Sequence, residues 1–293
     1  MFKNLRSKTL MTLSLVIVFL FSMTGTVFGY GGTTSTAASP PYDYMAVGDS
    51  VPWGYIPNEL APLGGEPGPS YTDNIAMSFD GIGALNSYTE YPYDTYTYPG
   101  MTTKALLAAL TPHPNGTTVT VEGVTVTLPN YLSVMRDLRN AEIVTLTVGA
   151  DDIWFLPAVK EYIKDPTSTS KLYAAQSAVL KQLPRTGANL SLIIGIMKAA
   201  NPKARIYVMG YYNAIPGNPA VAPLIRLLNA TINSSVNTYR YSPVAPRYIN
   251  TWGVVTKENA AYMLYPNDIH VTTDGQAAIA NLFLTKIQED FGL

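Results

Sequence analysis

Apolar positions along the chain follow two alternating rhythms. Short runs rich in apolar and β-branched residues read as strands. They are Tyr42–Ser50 (YDYMAVGDS), Glu142–Gly149 (EIVTLTVG), Ala204–Tyr211 (ARIYVMGY) and Arg247–Trp252 (RYINTW). The second is almost uninterrupted, as expected of a strand buried on both faces. Helical spacing appears between them, over Ser70–Phe79, Thr103–Leu110, Tyr131–Arg139, a long stretch from Ser170 to Ala200 broken at Pro184, and Val221–Tyr239. A last helix is expected over Thr273–Phe291, with Ile279, Leu282, Phe283 and Ile287 on its apolar face. Strand and helix in alternation argue for a parallel sheet covered on both faces, an α/β/α sandwich. One segment departs from this rhythm: Thr117–Leu128 (TTVTVEGVTVTL) alternates strictly around Glu122-Gly123 and reads as an inserted β-hairpin.

The first thirty residues have another pattern. Lys3, Arg6 and Lys8 precede an apolar stretch from Leu10 to Met23, and small residues follow around Val27-Phe28-Gly29. That stretch is shorter than the roughly 20 residues of a membrane span and fits a secretory signal peptide, with an uncleaved N-terminal anchor as the alternative. Gly31–Pro41 (GGTTSTAASPP) has the composition of a flexible tether. The expected organisation is a signal peptide over 1–29, a linker over 30–41 and one domain over 42–293. A secreted location follows, with no stable membrane span after the signal is removed.

Composition narrows the chemistry. The chain has 293 residues, 19 Lys plus Arg against 20 Asp plus Glu, and a net charge of −1, which gives no electrostatic reason to expect nucleic acid as a partner. It has no cysteine, so disulfides, thiolate metal sites and a cysteine nucleophile are excluded, and export without cysteine fits a bacterial route. Only His113 and His270 are available for histidine chemistry.

In an open parallel sheet the reactive groups collect at the carboxyl ends of the strands. Those ends carry Gly48-Asp49-Ser50, Gly149-Ala150-Asp151-Asp152 and Gly210-Tyr211-Tyr212-Asn213, and Asn267-Asp268-Ile269-His270 precedes the last helix. A serine at a strand-to-helix turn with a histidine from a late loop is the minimum for nucleophilic acyl transfer: Ser50 needs a base, and His270 can accept and return its proton. A divalent metal held by Asp49, Asp151, Asp152, Asp268 and His270 is a second arrangement, for phosphoester hydrolysis, though without a recognisable ligand spacing. Asp49 is expected to hold its turn. Asp152, Asp274 and Asp290 are expected at helix starts or on the surface, and His113 in a solvated loop. Tyr88, Tyr91, Tyr93, Tyr96 and Tyr98 form either an aromatic substrate wall or a packed edge strand.

Four separated blocks resemble the GDSL, or SGNH, hydrolase family. They are AVGDSVPWGY, with Val51 in place of the usual leucine; Pro99-Gly100-Met101-Thr102-Thr103; VTLTVGADDI; and DIHVTTDGQAAIAN. The resemblance implies a flavodoxin-like three-layer fold and a secreted esterase or lipase. It needs no cofactor and no metal, acts on a small-molecule or polymer-borne ester, and is expected to be a monomer. It also implies Ser50 as nucleophile, His270 as base, and the amides of Ser50 and Gly100 as oxyanion donors. The family's third donor is an asparagine, and that position here is Asp151. An ionised carboxylate only accepts hydrogen bonds, so it opposes an oxyanion unless it is protonated or another donor such as Asn213 substitutes. Without either, the chain is a weak enzyme or a ligand-binding protein. The family's orienting aspartate falls at Asn267. Asp268, one residue later, is expected to take the role through a small loop shift, with a Ser-His dyad oriented by a backbone carbonyl as the alternative.

Overall fold

The computed structural model describes residues 42–57, 65–89, 96–121, 124–216, 218–256, 260–264 and 268–293. The expected signal peptide and linker, Tyr91, Tyr93, the Glu122-Gly123 turn and Asn267 lie outside the described residues. Strand β1 (Tyr42–Gly48) is followed by a short antiparallel pair, β2 (Tyr55–Pro57) with β3 (Gly65–Pro67). Helix α1 (Tyr71–Gly81) leads to β4 (Leu85–Thr89). Helix α2 (Thr103–Ala109) leads to β5 (Thr118–Val121) and β6 (Val124–Thr127), which pair antiparallel outside the main sheet. Then come α3 (Tyr131–Asn140), β7 (Ile143–Thr147) and two short helices, α4 (Asp151–Trp154) and α5 (Pro157–Lys164). The chain closes with α6 (Thr169–Ala200), β8 (Arg205–Gly210), α7 (Ala222–Asn237), β9 (Arg247–Asn250) and α8 (Thr273–Phe291).

Five strands form one parallel sheet in the order β4-β1-β7-β8-β9. Numbered along the chain within that sheet, the order is 2-1-3-4-5, a doubly wound arrangement whose direction reverses between β1 and β7. Ligands in such sheets bind at the carboxyl ends beside that reversal, which here are the residues after Gly48 and after Thr147. Helices α1 and α8 pack on each other, while α2, α3, α5 and α7 all pack against α6. The central strands are apolar on both faces: every residue of β7 is buried, and so are five of the six in β8. Their few polar groups are satisfied internally, as burial requires. Tyr44 Oη meets Thr145 Oγ1 at 2.9 Å, and Tyr71 Oη meets Thr147 Oγ1 at 2.6 Å.

Several expectations are corrected. Helix α6 runs through Pro184 without a break. An interior proline removes one backbone hydrogen bond and costs about 3 kcal/mol. Burial of Val179, Leu183, Leu190, Ile193 and Met197 on either side holds the helix together. No helix follows Ser50 directly; residues 50–54 form hydrogen-bonded turns leading into β2, with Pro52 and Gly54 unsuited to a helix, and Ser50 therefore caps none. Asp290 lies at the end of α8, not its start, and is largely buried under ion pairs from Arg205 and Arg247. The edge strand expected around the tyrosines begins earlier, as β4 with Tyr88 in it, while the β2–β3 pair, α4 and α5 had no expected counterpart.

Candidate active site

Ser50 sits in the turn at the carboxyl end of β1. Gly48 lets that end lie close to β7: a Cβ there would be 2.1 Å from the Thr147 carbonyl oxygen. The Asp49 amide donates to the same oxygen at 2.9 Å. Asp49 then folds back on the turn, its Oδ1 accepting from the Val51 amide at 3.0 Å and its Oδ2 from the Tyr211 hydroxyl.

His270 comes from the loop ahead of α8. The loop is closed by a bridge between Met263 and Val271 and by Leu264 N–H donating to His270 O at 3.0 Å, and Thr272 caps the helix. The imidazole Nε2 is 2.7 Å from Ser50 Oγ, and Nδ1 is hydrogen-bonded to Asp268 Oδ1. Asp268 Oδ1 also accepts the His270 backbone N–H at 2.8 Å, so a spacing of two residues reaches the ring. Burial pushes the Asp268 carboxyl up, but the hydrogen bonds and charge of His270 outweigh it and hold the group below its usual range.

Two residues that the sequence did not single out fix this pair. The Tyr55 ring stacks on the imidazole, centroids 4.2 Å apart and planes at 26°. Gln276, on α8, donates from Nε2 to Val51 O at 3.1 Å and accepts at Oε1 from the Tyr71 amide at 3.0 Å. It thus ties the helix behind His270 to the turn carrying Ser50. Tyr55 lies within AVGDSVPWGY and Gln276 within DIHVTTDGQAAIAN, so block membership was the available signal.

Gly100 occupies a type II turn, with Pro99 before it, φ of 84° at the glycine, and Met101 N–H donating to Tyr98 O at 3.0 Å. That loop is fastened beside β1 by Gly48 N–H to Tyr96 O and Tyr98 N–H to Gly48 O, both 2.9 Å. Its far side is held by Asp152, which lies at a helix start as expected, in the first turn of α4, but is buried there. Asp152 accepts from the Thr103 amide and hydroxyl, each at 2.7 Å. Burial raises the Asp152 carboxyl above its usual value, against the hydrogen bonds from Thr103, Thr186 and Gln182.

Ser50, His270, Asp49 and Asp151 border one cleft with about 740 Å³ of empty space, its open mouth included. Asp151 is the first residue of α4 and is buried. Burial lifts Asp49 to about 7, and lifts the Tyr211 phenol beside it well above its ordinary value. Asn213 and His113 are not among the residues lining this cleft. Nor are Tyr88, Tyr96 and Tyr98: Tyr88 stacks on Tyr44 within 5.0 Å, and the buried Tyr96 donates to Asp137 at 2.9 Å. Among the described residues no group of three His, Asp or Glu is placed to hold a metal ion.

The fold is shared with known structures. The lipase Lip_vut3 from a goat rumen metagenome matches with a TM-score of 0.57 at 15% identity, covering 83% of this chain and 95% of that one. Phospholipase A1 from Streptomyces albidoflavus NA297 matches at 0.54 and 14%, covering 84% and 99%. The family 3 carbohydrate esterase of Clostridium thermocellum matches at 0.52 and 15%, covering 86% and 98%. No curated protein matches the sequence. Residues 46–278 match the GDSL-like Lipase/Acylhydrolase family, a span that begins inside β1 and ends within α8. The chain belongs to that family of carboxylic ester hydrolases.

Proposed function

We propose that the protein cleaves its ester through an acyl-enzyme on Ser50. The observation that carries this reading is the hydrogen-bonded chain from Ser50 Oγ through His270 to Asp268. Nε2 takes the hydroxyl proton as Oγ adds to the carbonyl carbon, then returns it to the departing alcohol oxygen; water repeats the sequence to release the acid. Asp268 holds the tautomer with hydrogen on Nδ1 and offsets the charge of the imidazolium. The amides of Ser50 and Gly100 serve as donors to the oxyanion. Residues 1–29 act as an export signal, so secreted protein is expected to begin between Tyr30 and Pro40 on N-terminal sequencing.

The test is covalent labelling by a fluorophosphonate together with hydrolysis of p-nitrophenyl esters. Labelling maps to Ser50, and Ser50→Ala removes it and lowers kcat by about 10⁶-fold, the scale for deleting a serine nucleophile. The thermal midpoint stays nearly unchanged. Undiminished turnover by Ser50→Ala would defeat the reading.

A further inference from the structure

The cleft beside Ser50 is chemically two-faced. Its charged and catalytic-type groups are Asp49, Ser50, Asp151 and His270, and two helix stripes supply much of its apolar lining, with Ile153 and Trp154 adding to it. Helix α7 and the residue before it contribute Val221, Leu224, Ile225 and Leu228, spaced i, i+3, i+4 and i+7 so that all four share one face. Helix α5 contributes Val159, Tyr162 and Ile163, again on one face. These side chains are buried except Ile163, which is 43% exposed and marks the rim.

The tyrosines that border the cleft do not make it polar. The Tyr162 hydroxyl is 3.1 Å from Asn218 Nδ2 and 3.3 Å from its Oδ1, so the ring is what remains to face the cleft. The Tyr211 hydroxyl is committed to Asp49, and that of Tyr212 donates to Ile269 O at 3.3 Å. A sugar placed between the two stripes would bury hydroxyls against hydrocarbon, which is costly without partners. A methylene chain there loses only its contact with water.

We infer that this cleft binds a linear alkyl chain carried by the ester, making the enzyme selective for lipid-like over acetylated-sugar substrates. The inference rests on the ester hydrolysis at Ser50 proposed above and adds to it the substrate class. Either the acyl or the alcohol part could bring the chain, and the experiment separates them.

Hydrolysis of p-nitrophenyl acetate, butyrate and octanoate is compared with that of ethyl and octyl acetate. Octanoate is expected to exceed acetate in kcat/KM by about tenfold or more if the acyl part carries the chain. The same gain for octyl over ethyl acetate assigns the chain to the alcohol. Ile163→Asp, a charge placed at the exposed rim where folding tolerates it, lowers the octyl-to-short ratio several-fold through KM. Calorimetric binding of methyl octanoate, but not methyl acetate, to Ser50→Ala reads the cleft without turnover. Equal rates across both series, with Ser50 still labelled by fluorophosphonate, would overturn the alkyl cleft and leave the esterase standing. Methyl octanoate binding without any Ser50-dependent turnover would do the reverse.

Discussion

On the histidine side of Ser50, Asp268 is partly buried, yet the hydrogen bonds and charge of His270 keep its carboxyl below the usual range. On the strand side, Asp49 and Asp152 are buried against tyrosine and threonine donors, neither forms an ion pair among the described residues, and both carboxyls are pushed up. The residue type is the same and so is the main opposing influence, burial; a counter-charge decides the sign. A negative charge is therefore well supported behind His270 and poorly supported at the strand ends. Asp151, one residue before Asp152, borders the cleft with Ser50. On the reading proposed above, an oxyanion formed at Ser50 would meet Asp151 where the family's pattern supplies an amide.

The largest effect tests the supported side. Asp268→Asn keeps one acceptor for Nδ1–H but removes the charge that stabilises the imidazolium. In serine proteases the corresponding change costs about 10⁴-fold. A fall in kcat of about 10³- to 10⁴-fold is expected here, measured with p-nitrophenyl butyrate. A loss below tenfold would assign the orientation of His270 to another group and remove the contrast between the two sides.

The next effect has the opposite sign. Asp151→Asn keeps the shape, removes a carboxylate from the border of the cleft and supplies an amide donor. One oxyanion donor is worth about 2.7–4 kcal/mol, so kcat/KM should rise by about tenfold or more. The gain should appear mainly in kcat, because the interaction strengthens only as the oxyanion forms. A well-folded Asp151→Asn enzyme with lower activity would mean that Asp151 has a role of its own.

Asp152 sharpens the comparison by structure rather than charge. Replacing it with alanine strands the Thr103 amide and hydroxyl, at about 1–3 kcal/mol for each buried group left unpaired. For a domain of this size each kcal/mol lowers the thermal midpoint by about 2–4 °C. The Gly100 loop loses its anchor at the same time, so kcat is expected to fall several-fold with KM nearly unchanged. A midpoint within 1 °C of wild type would show that the loop is held elsewhere.

Much of the framework was legible because burial on both faces leaves a strong mark. EIVTLTVG and ARIYVMGY contain β7 and β8 within a few residues, and the α1, α2, α3 and α8 boundaries follow their Ser70, Thr102, Asn130 and Thr272 caps. One wall of the cleft, carried by α4 and α5, was missed, as was the reach of strand β4. Helix α5 spans eight residues and α4 only four, too short for a helical period to stand out. Strand β4 is a half-polar edge, LNSYT, whose pairing with β1 is a tertiary fact. Ser50 and His270 were readable from residue type and order. The burial of Asp152 and Asp290 was not, since a carboxylate reads as surface until the fold places donors around it.

The smallest expected effect is on stability against pH, and it isolates Asp49. Its folded value, about 7, lies above the ordinary 3.8, so between those values the folded protein holds a proton that the unfolded chain has released. Stability then falls as pH rises through that window, by at most about 1.4 kcal/mol per pH unit for one group, and levels off above it. Asp152 acts in the same direction. Asp268 and Asp290, held below the usual range, act oppositely, but their contribution is lost only as pH drops below about 4. From pH 5 to 8 the buried strand-side carboxyls therefore set the slope, and the thermal midpoint should decline by a few degrees. Asp49→Asn approximates the protonated form and should flatten most of that decline, while Asp268→Asn should leave it in place. A wild-type midpoint that rises over this range, or an Asp49→Asn slope equal to wild type, would place the unsupported charge somewhere other than beside Ser50.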